Sequence, residues 1–329
     1  TLLSQSRTSL IGKIYSQITL LLGMNPHRHP YKVMGLAPYA QEYYKKGPRE
    51  VFCNSLVVQG LTFKKNKNMK DYFFYFKEKL KPFRFDGIAG GLQDFTEKRL
   101  SEWFLEMYKV TNCNNFIFTG GVANNVKANK MIAENNFVKN FYVPPGPGDE
   151  GLSIGAAFCC LYEKNHRKFS YIPLTNAFLS DKPTTKDLKI FESDSLIKSK
   201  FKKIKNCSLS KVAKIIRKGE IVGLFEGKME FGSRALGHRS FIADPSNLET
   251  LRKLNDLIKK RDFWMPFTPS IIDRDIKKYI KNKKNIDTNF MTICFDSTKK
   301  ARIDLIATLH PYDHTIRPQI VKKKTCKYY

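Results

Sequence analysis

Apolar residues recur at helical spacing in several parts of the chain. Residues 9–24 (SLIGKIYSQITLLLGM) are amphipathic, and Lys13, Gln17 and Thr19 interrupt the run. That pattern predicts a packed helix, not a leader core or a membrane span. From 93 to 108, Leu100, Trp103, Phe104, Met107 and Tyr108 share one helical face. Asn115 to Thr119 reads as a short buried strand ended by Gly120-Gly121, and a helix carrying Val122, Val126 and Met131 follows. Phe141 to Val143 predicts another strand, broken by PPGPG at 144–148, and a helix of small residues runs from Gly151 to Leu161. Strands alternating with helices predict an α/β layered domain.

The pattern changes at 163–185, which is polar, carries Pro173 and Pro183, and has no sustained period. A domain boundary is expected there. Beyond it, Leu209, Val212, Ala213, Ile215 and Ile216 predict a helix ending at Gly219, then a strand from Glu220 to Phe225 and a helix near 248–260. Residues 26–40 (PHRHPYKVMGLAPYA) read as a loop feeding a tight turn, and 60–85 as a partly covered surface element. There is no internal repeat.

Length and charge refine this outline. At roughly 100–200 residues per domain, a chain of 329 residues suggests two domains. Hydrophobic content of 42% excludes a disordered chain. Lys+Arg number 58 against 30 Asp+Glu, a formal net charge of +28, which invites a nucleic-acid or anionic-surface reading. The excess is mostly lysine, set among many Asn, Ile, Phe and Tyr, a pattern that compositional drift also produces. Phosphate and base recognition more often uses the planar fork of arginine. Seven cysteines without a C-x-x-C pair argue against a disulfide scaffold or a structural zinc site. The expectation is a reduced, cytoplasmic protein with no membrane partner.

Three blocks carry candidate chemistry. FTGGVANN, 118–125, ends a strand in Gly120-Gly121 and opens a helix, where backbone N–H groups can meet an anion and Asn124 or Asn125 a ribose or base. It reads equally as an ordinary strand–turn–helix. PPGPGDEGLSIGAA, 144–157, sets Asp149 and Glu150 at a helix start, either as ligands for a hard cation or as caps on the helix dipole. EGKMEFGSRALGHRS, 226–240, places Lys228, Glu230, Arg234, His238 and Arg239 around three glycines. Cations held on irregular backbone suit phosphate or carboxylate ligands. Downstream, Lys259, Lys260 and Arg261 stand beside Trp264, and His310, Asp313 and Arg317 follow in LHPYDHTIRPQ.

Together with KVMGLAPYA, IKKRDFWMPFTPSI and DHTIRPQIV, these blocks resemble, in order over nearly the whole chain, the carbamoyltransferase family of nodulation and antibiotic-tailoring O-carbamoyltransferases. The resemblance implies a partial actin-like (Kae1-like) domain over 1–172 and a YrdC-like α/β domain over 173–329. It implies that ATP and carbamoyl phosphate form carbamoyl-adenylate with loss of pyrophosphate. Transfer to a hydroxyl of a small sugar, antibiotic or lipo-oligosaccharide type acceptor would follow, with Mg²⁺ and an iron-type divalent metal as cofactors. On this reading Lys228, Arg234, Arg239 and His310 are the catalytic candidates, and Glu230, Lys259, Arg261 and Arg317 bind substrate. Gly120, Gly121 and Asn124 match the nucleotide turn, and Asp149 matches a metal ligand.

Departures from the family pattern are Ser233 for the usual proline, Lys228 for a common arginine, and no metal-binding histidine pair set four apart; His27 and His29 are two apart. A later Asn-Thr-Ser-Phe-Asn type stretch is also missing, so the chain is expected to be truncated at both ends and poorly active alone. The alternatives are a tRNA threonylcarbamoyladenosine-type enzyme and a non-catalytic basic nucleic-acid-binding protein. Domain order and the EFGSRALGHRS block weigh against the first, and nucleic acid is not expected as a partner.

Overall fold

The longest element, α5 (Phe85–Thr111), begins well before the 93–108 period that announces it. Its first turns contain Gly87, Gly90 and Gly91, which read as breakers in isolation. They instead let α3 (Glu42–Ser55) lie against α5: a Cβ at Gly91 would stand 2.6 Å from the Arg49 amide nitrogen. Close approach of two backbones outweighs the low helix propensity of glycine.

The computed structural model of the chain describes residues 1–6, 10–165, 174, 176–287 and 289–322. Much of the expected boundary segment, Pro173 included, and the lysines at 323 and 324 lie outside the described residues. The chain opens with α1 (Ile11–Leu21) and α2 (Pro30–Leu36) ahead of α3. A hairpin of β1 (Leu56–Gln59) and β2 (Thr62–Lys65) precedes α4 (Tyr72–Leu80), which lies before α5. Then come β3 (Asn115–Ile117), α6 (Val126–Glu134), β4 (Asn140–Tyr142) and α7 (Gly151–Lys164), with β3 and β4 parallel. Helices α8 (Thr185–Ser193), α9 (Ser195–Lys200) and α10 (Leu209–Arg217) lead to the antiparallel pair β5 (Val222–Phe225) and β6 (Arg239–Ile242). The remainder holds α11 (Leu248–Lys253), β7 (Ser270–Ile272), α12 (Ile276–Tyr279), β8 (Phe295–Asp296), α13 (Ala301–Asp304), β9 (Thr315–Ile316) and β10 (Gln319–Val321). β7 pairs with β10 in parallel, and β8 with β9 antiparallel. The fold is mixed α/β, as the alternation predicts.

Two local expectations change. Within 26–40, residues 30–39 form α2 and a 3₁₀ turn (Ala37–Tyr39), because Pro30 stands at the start of α2, where its missing N–H is not needed. Near 248–260 the helix changes at Leu254 into a π-helical segment that ends at Lys259.

One core dominates. Ile14, Ile18, Phe52, Phe76, Leu92, Phe95, Phe104 and Ile132 meet in it. Ile271, Ile280, Ile293, Phe295, Leu309 and Ile316 belong to the same cluster, so side chains from both sides of residue 172 share it. Inside runs a polar chain: the Tyr15 hydroxyl donates to Gln93 Oε1 at 3.0 Å, and Gln93 Nε2 donates to Glu97 Oε1 at 2.8 Å and to Asn125 Oδ1 at 3.0 Å. Buried amides paired in this way avoid the penalty of unmet polar groups. By contrast α7, α8, α9 and α10 carry no fully buried residue, although small residues in α7 predict close packing.

Candidate functional site

The glycine-rich block 226–240 folds around a carboxylate. Glu230 Oε1 accepts the backbone N–H groups of Leu236, His238 and Arg239 at 2.9, 2.8 and 3.0 Å. Burial opposes its charge, but these N–H groups outweigh that and hold Glu230 below the ordinary glutamate range. Arg239 closes the same loop. Its guanidinium donates to the Glu226, Gly227 and His238 carbonyls and lies 3.6 Å from the Phe225 ring centroid. These two residues, expected at the chemistry, therefore build the loop, because an irregular backbone leaves polar groups that only side chains can satisfy.

The loop is seated on the PPGPG turn. Gly232, at φ +99°, lies so close that a Cβ would stand 2.6 Å from the Pro145 carbonyl oxygen. The Gly120 N–H and the Thr119 hydroxyl donate to the Pro147 carbonyl at 2.6 and 3.2 Å. All three sequence blocks thus meet at the PPGPG turn. A strap at 176–180 crosses the loop: Phe231 N–H donates to the Ala177 carbonyl at 2.6 Å, and Phe178 stacks on His238 with ring centroids 3.7 Å apart. No pattern in the sequence announces this strap.

Between these pieces opens a cleft of about 2090 Å³. Lys228, Arg234, Lys259, Arg261 and Arg317 line it from one side of the sequence, and Gly121, Asn124 and Asp149 from the other. Gly120, Glu230, Arg239 and His310 are not among its walls. His310 is buried, bonded through Nε2 to the Gly35 carbonyl at 2.8 Å, so it ties the end of α2 to the 310–315 turn. Burial lowers its pKa from the usual histidine value. Asn125, offered by sequence as a ribose or base contact, is spent on Gln93 and on capping α6 through the Ala128 N–H. Both Asn124 and Asn125 line the cleft, and Asn124 is the one bonded to Arg234.

The electrostatics are carried by three guanidinium groups. Arg234 donates from Nη2 to Asn124 Oδ1 at 3.2 Å, while its Nε and Nη1 are shut off from solvent and have no hydrogen-bond partner. Burial, reinforced by repulsion from Arg317, pushes Arg234 down to about 9 against a weaker pull from Glu150. Arg317 donates to Thr268 Oγ1 at 3.0 Å and is pushed down to about 10, mainly by burial. Arg261 is lowered by burial too; it donates to Asn255 Oδ1 at 2.7 Å and stacks over Phe267. The hydrogen bonds of all three go to neutral acceptors. Cations crowded and desolvated with no carboxylate bonded to them suit an anion, since an entering negative charge relieves the repulsion.

Asp149 lies exposed on the turn before α7, and Glu150 at the helix start makes no side-chain cap. Among the described residues no three His, Cys, Asp or Glu side chains gather. Among the described residues Asp149 therefore belongs to no set of three such ligands. Among the described residues no helix is long and apolar enough to cross a membrane.

Comparison with known proteins agrees with this geometry. The family model described as Carbamoyltransferase N-terminus matches residues 2–158, and that described as Carbamoyltransferase C-terminus matches residues 213–329. The chain is 32% identical over 330 residues to the uncharacterized protein MJ1051 of Methanocaldococcus jannaschii, covering 96% of this chain and 61% of that one. It is 30% identical over 324 residues to MJ1058 of the same organism, covering 95% and 52%. It is 24% identical over 330 residues to the nodulation protein NolO of Bradyrhizobium diazoefficiens, covering 96% and 58%. The chain spans about half the length of the curated relatives it matches. With both family models matched in order, and the most diagnostic block forming the wall of an arginine-lined cleft, the chain belongs to the carbamoyltransferase family.

Proposed function

We propose that the chain carries the carbamoyl-activating cleft of an O-carbamoyltransferase. The observation that supports this reading is the trio Arg234, Arg261 and Arg317, with two Arg234 donors unpartnered, around a cleft walled by both halves of the chain. Carbamoyl phosphate and ATP are both phosphate-bearing, and their encounter concentrates negative charge that fixed guanidinium groups stabilise. On this reading a water molecule hydrolyses carbamoyl phosphate, and the products are carbamate, orthophosphate and a proton. A carbamate oxygen then attacks the α-phosphorus of ATP, the bond to pyrophosphate breaks, and carbamoyl-adenylate forms. Arg234 and Arg317 hold the phosphoryl oxygens, and Lys228 and Lys259 add charge at the rim. A hydroxyl of a small acceptor then attacks the carbamoyl carbon, the bond to adenylate breaks, and AMP leaves as the hydroxyl proton is lost. The division into a Kae1-like part over 1–172 and a YrdC-like part over 173–329 belongs to the same proposal, as does Mg²⁺ arriving with ATP.

The test is release of pyrophosphate from ATP by this chain. Release that requires carbamoyl phosphate, and that Arg234→Ala abolishes, supports the reading. ATP turnover indifferent to carbamoyl phosphate overturns it.

A further inference from the structure

Helix α6 grips the strands that lead into the cleft. The Val126 carbonyl accepts the Cys294 N–H at 3.3 Å, and Asn129 Nδ2 donates to the Thr292 carbonyl at 2.8 Å, which fixes the approach to β8. Lys130, on the same helix, pairs with Asp296 of β8. β9 hangs on β8 by a two-residue register, Phe295 opposite Ile316 and Asp296 opposite Thr315. One turn of α6 before Lys130, Lys127 Nζ forms an ion pair with Asp313, just ahead of β9. The other carboxylate oxygen of Asp313 accepts the Thr315 N–H and hydroxyl at 2.9 and 2.7 Å. Arg317 stands two residues further on, in the cleft wall.

Neither Lys127 nor Asp313 lines the cleft. Their side chains are 21% and 28% exposed, so the pair is screened less than a surface bridge. Asn124, three residues before Lys127, already holds Arg234. We infer that Lys127, acting through Asp313, is a positioning residue for Arg317, so that the single segment 124–127 sets both arginines of the anion clamp. This rests on the reading of the cleft as a phosphate-bearing anion site. It gives the FTGGVANN block and its following lysine a second task beyond any contact with a nucleotide.

Two measurements on the 329-residue chain test it. In calorimetry with inorganic phosphate, Lys127→Met weakens binding about tenfold, and Lys127→Arg restores most of it. The Lys127→Met effect vanishes when Arg317→Ala is already present and persists in full on Arg234→Ala. An undiminished effect on the Arg317→Ala background overturns the inference, as does wild-type affinity in Lys127→Met. In hydrogen exchange without ligand, amides in 312–317 exchange faster in both Lys127→Met and Asp313→Asn, and Asp313→Asn retains its bonds to Thr315. Unchanged exchange overturns the clasp. Faster exchange in a chain that binds no phosphate supports the clasp and overturns the reading of the cleft.

Discussion

Arg234 Nη2 donates to Asn124 Oδ1 at 3.2 Å, joining two glycine-rich turns 110 residues apart. Two more donors of that guanidinium are buried and have no hydrogen-bond partner, so it is anchored on one side only. Replacing Arg234 by Ala removes charged hydrogen bonds of about 1.5–3 kcal/mol, which corresponds to a loss of phosphate affinity of about ten- to a hundredfold. Asn124→Ala removes a single neutral acceptor and lowers affinity only about two- to tenfold. Calorimetry on the two variants checks the order; an equal or reversed order contradicts the anchoring role of Asn124.

The pH dependence follows from the same residue. Burial holds Arg234 down to about 9 from its ordinary 12.5, so between those values the folded chain binds fewer protons than the unfolded one. Its charge therefore lowers stability below about pH 9, and that penalty is relieved as pH rises toward the ordinary value. Anion affinity moves the other way, falling as the proton is lost. Thermal melts without phosphate should find Arg234→Met more stable than wild type at neutral pH, with the gap closing above about pH 9. A less stable Met variant at neutral pH would show that the bond to Asn124 and the pull of Glu150 outweigh the cost of burying the charge.

Two glycines should respond differently. Gly232→Ala forces a Cβ to 2.6 Å from the Pro145 carbonyl at a positive φ, and should cost about 1–3 kcal/mol. A Cβ at Gly121 meets no atom within 4 Å, so Gly121→Ala should melt within a degree or two of wild type. Denaturant unfolding of both variants decides the matter. Equal stability would mean that the EFGSR loop does not rest on the PPGPG turn.

Acid sensitivity should trace in part to His310. Its folded pKa lies below the ordinary 6.5, mainly through burial, so the unfolded chain takes up protons first as pH falls. Stability from this group is full above about pH 6.5 and declines below it. His310→Gln keeps a donor for the Gly35 carbonyl but does not titrate. The slope of stability between pH 4.5 and 6.5, followed by denaturant midpoints, should be shallower in the variant; an unchanged slope assigns the loss elsewhere.

Sequence made the three blocks legible because glycine, proline and cation spacing are local signals. The strand–turn–helix around Gly120 and the small-residue helix after Asp149 stand where periodicity puts them. What local reading could not separate was which polar side chains face the cleft and which are consumed by the backbone. Arg234 and Arg239 are five residues apart with the same chemistry, yet one lines the cleft with two buried donors unpartnered and the other binds three carbonyls. Asn124 and Asn125 both line the cleft but take different partners, one Arg234 and the other Gln93 in a buried amide pair. Such divisions depend on contacts distant in sequence. The strap at Phe178 and the seat of Arg317 beside Thr268 depend on them as well.

The central claim is that Arg234 and Arg317 form a clamp for a phosphate-bearing carbamoyl donor. Its most direct test is calorimetric titration of carbamoyl phosphate into the wild-type chain and into the Arg234→Ala/Arg317→Ala variant, each shown to be folded by its melt. The account predicts saturable one-site binding by wild type, weakened by about a hundredfold or more in the double variant. Equal affinity in the two folded proteins, or no binding by wild type, would contradict it.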